Sequence, residues 1–152
     1  MKLAEALQER ADLNRKIQQM YTRLNNNATV QEGEQPAEDP KLLLAELDAA
    51  VDRLQWIIAR VNLTNCATIV KGKSLTEWIA EKDCLTLKIE RYRNFLNSAS
   101  ILAGRASHTE IKVLSTVNVR ELQLKLDALC KQLRQTDNLI QETNWSTELM
   151  DR

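Results

Sequence analysis

Arg10, Asn62, Asn65, Lys82 and Asp83 are the polar residues whose placement invites chemistry, because each falls on or beside a row of residues that is otherwise apolar. A charge set into such a row demands a partner, and Asp83, Glu81 or Asp137 could supply it. If the first three helices alternate in direction, Arg10, Asn65 with the nearby Asn62, and Lys82 fall toward one end of a bundle, and Thr136 joins that level if the fourth alternates too. Such a polar layer could form a pocket for a small ligand or a metal between helices. It could equally be a device that fixes helix register at a cost in stability, and this reading carries more weight.

Other reactive residue types give weaker signals. A di-iron carboxylate centre needs Glu-x-x-His on helices, whereas the one histidine, His108, stands in a connector without that spacing. Cys66, Cys84 and Cys130 lie far apart, without the close pairs of metal or redox motifs, and read as free thiols in a reducing compartment. Glu32, Glu34, Glu38 and Asp39 surround Gly33 in a linker, but their spacing is not that of a calcium loop. No glycine-rich phosphate loop, nucleophile elbow or zinc spacing occurs, so the expectation is a non-enzyme without a cofactor. Acidic and basic residues balance at 21 each with no run of like charge, which argues against a nucleic-acid partner. Trp78 and Trp145 then read as core and tail anchors rather than as a stacking platform.

The elements that must position these residues are helical. Only three Gly and two Pro occur in 152 residues, against a background rich in Leu, Ala, Glu, Lys, Gln and Arg. Apolar residues recur at steps of three and four along Leu3, Ala6, Arg10, Leu13, Ile17, Met20 and Leu24. They do so again along Leu44, Leu47, Val51, Leu54, Ile58 and Val61. The third row is Leu75, Trp78, Lys82, Leu85, Ile89, Tyr92, Leu96 and Ala99, and the fourth is Val119, Leu122, Leu126, Leu129, Leu133, Thr136, Ile140 and Thr143. The expected fold is an all-α four-helix bundle forming a single domain over 1–152, with long helices at about 2–24, 40–66, 75–103 and 119–143 and a linker at 25–39.

Asp39 and Pro40 give a start signal, Ser74 with Glu77 and Asn118 with Glu121 read as capping boxes, and Gly104 is a natural stop. Strand-like pieces at 68–75 and 110–117 could pair as a minor two-stranded β element formed by the connectors. The closing "NWSTEL" reads as a short docked tail.

The second helix carries more apolar surface than one face can hide. With Leu44, Leu47, Val51, Leu54, Ile58 and Val61 taken as its core seam, a second row appears at Leu42, Ala49, Trp56 and Leu63, flanked by Leu43, Ala50 and Ile57. A helix apolar nearly all round must be covered on more than one side, and contiguous exposed patches mark association sites. Leu42, Ala49, Trp56 and Leu63 are therefore the expected contact of a homo-oligomer, a dimer or higher.

The stretches "MKLAEALQERADL", "VQEGEQPAEDP", "VNLTNCAT", "SLTEWIAEKD", "EIKVLSTVNV" and "NWSTEL" together resemble a family of small, largely uncharacterised bacterial proteins, some of which carry the name septicolysin. The resemblance spans nearly the whole chain in segment order, and none of its motifs is a catalytic signature. It implies a helical bundle and homo-oligomerisation, with a hexameric ring among the forms. The family name implies a pore-forming cytolysin, so a membrane partner belongs to that alternative alone. The amino-terminal stretch is charged every few residues, and no segment reaches about 18 apolar residues, so the expectation is a soluble cytoplasmic protein. The leading expectation is thus a self-assembling structural or interaction protein, with the cytolysin and a ligand- or metal-binding polar layer as alternatives.

Overall fold

The computed structural model describes residues 1–101 and 111–151, and among them the fold is all-α with a minor β element built from a connector. Four helices run in chain order: α1 (Leu3–Asn26), α2 (Pro40–Ala67), α3 (Leu75–Ser100) and α4 (Val119–Ser146). Strands β1 (Ile69–Val70) and β2 (Lys73–Ser74) lie between α2 and α3. The chain divides into two compact units, one of Met1–Ser74 with Thr143–Arg152 and the other of Leu75–Glu142.

Helix starts follow the side-chain chemistry of the preceding residues. Asp39 Oδ1 accepts from Lys41 N at 2.9 Å and Pro40 takes the first helical position, where its missing amide hydrogen is no loss. Asn118 Oδ1 accepts from Glu121 N at 3.0 Å to open α4. The ends differ from expectation by a few residues. Helix α1 continues to Asn26, because Asn27 is buried and ties both sides of the exit: its Nδ2 donates to Arg23 O at 2.8 Å and its Oδ1 accepts from Glu38 N at 3.0 Å. Helix α3 is described to Ser100, and its expected end at 103 lies outside the described residues. The Ser100 hydroxyl donates to Leu96 O at 2.7 Å. Gly104 and His108 lie outside the described residues.

The β element arises within one connector rather than between two. Ile69 pairs with Ser74 and Val70 with Lys73, leaving Lys71 and Gly72 as a two-residue loop with φ of 48° and 81°. Positive φ at both central residues is the turn whose twist matches a tight hairpin. From Ile111 to Val117 no strand forms; Glu110 lies outside the described residues. Ser115 instead closes a local turn, its hydroxyl accepting from Val117 N at 3.4 Å and donating to Val117 O at 3.1 Å.

In the first unit α1 and α2 pack antiparallel. Leu3, Ala6 and Met20 of α1 are buried, as are Leu43, Ala50, Ile57, Val61 and Thr64 of α2. Three interhelical ion pairs bind one edge of the pair: Glu9 with Arg53, Lys16 with Glu46, and Arg23 with Glu38, which stands just before α2. The α1 partners recur every seven residues, and the sign on α1 changes from negative to positive while the opposite side changes from positive to negative. That ladder fixes register in the manner of flanking charges on a coiled coil. The tail closes the same unit. Leu3 N donates to Thr147 O at 2.9 Å, Leu149 N to Met1 O at 2.8 Å, and Met150 N to the hydroxyl of the buried Thr64 at 3.0 Å.

In the second unit Leu85, Ile89 and Leu96 of α3 form a core with Leu126 and Leu129 of α4, and Tyr92, Leu122 and Leu133 pack at its margin. Lys82 meets Asp137 and Lys125 stands over the ring of Tyr92, so α4 runs antiparallel to α3.

Candidate interaction surface

The buried face of α2 is rotated from the one expected. Ile57 is fully buried and belongs with Leu43, Ala50 and Thr64 to a row at seven-residue spacing, completed by Val61 and the half-buried Leu47 and Leu54. Leu44, Val51 and Ile58, expected in the core, are 48%, 43% and 40% exposed. One helical position is 100° of rotation, so the choice between Ile57 and Ile58 turns the whole helix. The small side chain of Ala50 favours the observed phase, since it lets a neighbouring backbone approach closely.

The expected contact row occupies the opposite flank of α2. Leu42 and Leu63 are 70% and 46% exposed and Ala49 is exposed, but Trp56 between them is half-buried. Arg53 lies over the indole at 4.6 Å from its centroid, while Arg53 Nε and Nη2 donate to the Glu9 carboxylate at 2.6 and 2.9 Å. The guanidinium is thus held by a ring below and a carboxylate beside it. That hydrogen bonding holds the Glu9 carboxyl below its ordinary range and raises Arg53 further. Sequence reasoning missed Glu9 and Arg53 as the cover of Trp56. The available signal was the sequence of opposite charges, Glu9, Lys16 and Arg23 against Arg53, Glu46 and Glu38.

Within the first unit, Arg10 does not meet Asn62 and Asn65 of the expected polar layer. Arg10 is adjacent to Glu9, whose partner is Arg53; Asn62 lies nine residues beyond that level and Asn65 twelve, roughly 14 and 18 Å along the helix. Asn62 and Asp83 are exposed, and Arg10, Asn65 and Lys82 are partly so. Lys82 belongs to the other unit, where its Nζ sits 2.6 Å from Asp137 Oδ1; of the three candidate partners, Asp137 is the one it takes. Hydrogen bonding to Lys82 holds the Asp137 carboxyl below its usual range. This pair lines a groove of about 600 Å³ between α3 and α4, with Ile89 and Leu133 on its apolar floor and Arg93 and Arg134 beside it.

The acidic linker is committed to structure, with Glu38 bound to Arg23 and Asp39 capping α2. No cluster of three or more metal-ligating side chains occurs among the described residues. None of their helices is long and apolar enough to cross a membrane.

The geometry offers a surface: an apolar row on α2, along the edge of the helix pair that the ion pairs leave open. No curated protein matches the chain. A solved structure does, the crystal structure of a functionally unknown conserved protein from Corynebacterium diphtheriae. It is 36% identical with a TM-score of 0.90, over 99% of each chain. Residues 10–149 match a family of unknown function, DUF6847. The chain described here, with its two antiparallel helix pairs and small hairpin, belongs to the DUF6847 family.

Proposed function

We propose that this protein is a self-assembling helical protein with an interaction role rather than a catalytic one, and that a second copy of the chain covers the outer row of α2. The observation that carries the reading is the exposure of Leu44, Val51 and Ile58 at seven-residue spacing, with Leu47 and Leu54 half-buried alongside. Seven-residue apolar spacing is the pattern by which one helix seats against another. A two-fold contact uses the same patch on both copies, and this row supplies one. The reading places the contact on this row rather than on Leu42, Ala49, Trp56 and Leu63, whose central indole is already occupied by Arg53.

Burying a large aliphatic side chain completely yields about 1.5–3 kcal/mol. The three residues are already about half covered, so each gains about 1 kcal/mol and the two copies together about 6 kcal/mol. That is of the order of the lost freedom of association, so the assembly depends on concentration. Cys66, Cys84 and Cys130 form no disulfide, which fits a reducing compartment such as the cytoplasm.

Light scattering over a concentration series tests the reading. Wild type should exceed the 17.4 kDa of one chain at the upper end. Val51→Glu should return it to that mass with its helical content intact, and Trp56→Glu should leave the association in place. A wild type that keeps the mass of one chain throughout refutes self-assembly. Loss of association in Trp56→Glu but not in Val51→Glu moves the contact to the opposite flank.

A further inference from the structure

We propose that the groove between α3 and α4 binds an anionic amphiphile, a single carboxylate on an aliphatic body. The site lies wholly within the second unit and is independent of the α2 contact. At about 600 Å³, with Ile89 and Leu133 as its floor, the groove has the size and apolar lining of a small-molecule site that is oriented by a few polar groups.

Charge sets the chemistry of the occupant. Three cations, Lys82, Arg93 and Arg134, border the groove with two carboxylates, Glu90 and Asp137. Both carboxylates are engaged, Asp137 by Lys82 at 2.6 Å and Glu90 by the neighbouring Arg91 at 3.6 Å. Arg93 and Arg134 are exposed, and neither has a carboxylate partner among the described residues. Arg93 Nη2 instead approaches the sulfur of Cys130 at 3.8 Å, and Cys130 stands one helical turn from Arg134 on α4. Two open guanidiniums thus rise at one end of the groove, where their planar forks match a carboxylate. The surplus around the groove is a single positive charge, which a monocarboxylate balances and a phosphate dianion overshoots. The aliphatic body then lies over Ile89 and Leu133. Eleven residues of α3, roughly 16 Å, separate Arg93 from Lys82, whose pair with Asp137 closes the far end with polar groups, so the length suits a medium-chain acid.

Isothermal titration calorimetry of the whole chain with octanoate, kept below its micellar concentration, tests the site. A single octanoate should bind per chain, about tenfold tighter than butanoate, which leaves the floor uncovered. Octanol and inorganic phosphate each carry only part of the recognised chemistry and should bind at least about tenfold more weakly than octanoate. Arg93→Gln and Arg134→Gln should each weaken octanoate about tenfold and leave the mass in light scattering as in wild type. In a Cys66→Ser, Cys84→Ser background, saturating octanoate should slow alkylation of Cys130, which places the ligand in this groove. Absence of octanoate binding, octanol or phosphate binding as tightly as octanoate, or an affinity that neither arginine variant moves overturns the proposal. So does alkylation of Cys130 that octanoate leaves unslowed, because the ligand then sits elsewhere. A lower mass in Arg134→Gln overturns it in favour of a contact between copies at the groove.

Discussion

Ile57 and Ile58 are chemically identical neighbours that the fold treats differently, and truncating each to alanine isolates the rotation of α2. Ile57→Ala removes three carbons from a side chain with no exposed surface, in the middle of a helix pair. At about 0.8 kcal/mol per carbon the transfer loss alone is about 2.4 kcal/mol, and the cavity left behind brings the cost to about 3–4 kcal/mol. Ile58→Ala removes the same atoms from a side chain that is 40% exposed and leaves no closed cavity, for a cost of about 1 kcal/mol. With a urea slope of about 2 kcal/mol per molar, the midpoint falls by about 1.5–2 M for Ile57→Ala and by about 0.5 M for Ile58→Ala. Circular dichroism in urea, at a protein concentration below association, measures both. Equal midpoints, or a larger loss at Ile58, would refute the observed phase of α2 and with it the outer row.

Acid should weaken the first unit through its ladder of ion pairs. Hydrogen bonds from Arg53, Arg23 and Lys16 hold the carboxyls of Glu9, Glu38 and Glu46 below the ordinary glutamate range, so their contribution is complete above about pH 4.3 and is lost as pH falls through their lowered values. Urea midpoints should fall between about pH 5 and about pH 3, less steeply in Glu9→Gln; a midpoint indifferent to pH in that window contradicts the ladder. At the hairpin, Lys71→Asn should stabilise by a few tenths of a kcal/mol, since asparagine tolerates φ of 48° better than lysine does. Gly72→Ala should cost about 1 kcal/mol through the backbone alone, because an added Cβ meets no atom within 4 Å. Thermal unfolding of the two variants would expose an error if both shifts had the same sign.

Three of the four helical rows could be read directly because each has one apolar stripe and a polar remainder. Along α1, α3 and α4 every residue of the expected row is buried or partly buried, including Arg10, Lys82 and Thr136. Helix α2 resisted the same reading because Leu43, Ala50, Ile57 and Leu44, Val51, Ile58 are two apolar rows one position apart, and periodicity cannot rank them. The ion pairs rank them, by choosing which edge of α2 faces the charges of α1. Arg10 stands apart from Asn62 and Asn65 for a related reason: helix direction was anticipated, but the register that separates them depends on the same charges. The hairpin was hidden because lysine is not a residue that announces positive φ; only Gly72 signalled it.

The pairing of residues 1–3 with 147–149 governs the order in which the chain can mature. A ribosome delivers the whole of Leu75–Glu142 before the segment that completes the first unit. The α3–α4 hairpin can therefore fold from contacts local to itself, whereas α1 and α2 must wait for residues 147–150 to seal their end. Nascent chains halted before Thr143 would leave the Thr64 hydroxyl and the buried end of α1 open to chaperones until residues 147–150 are made.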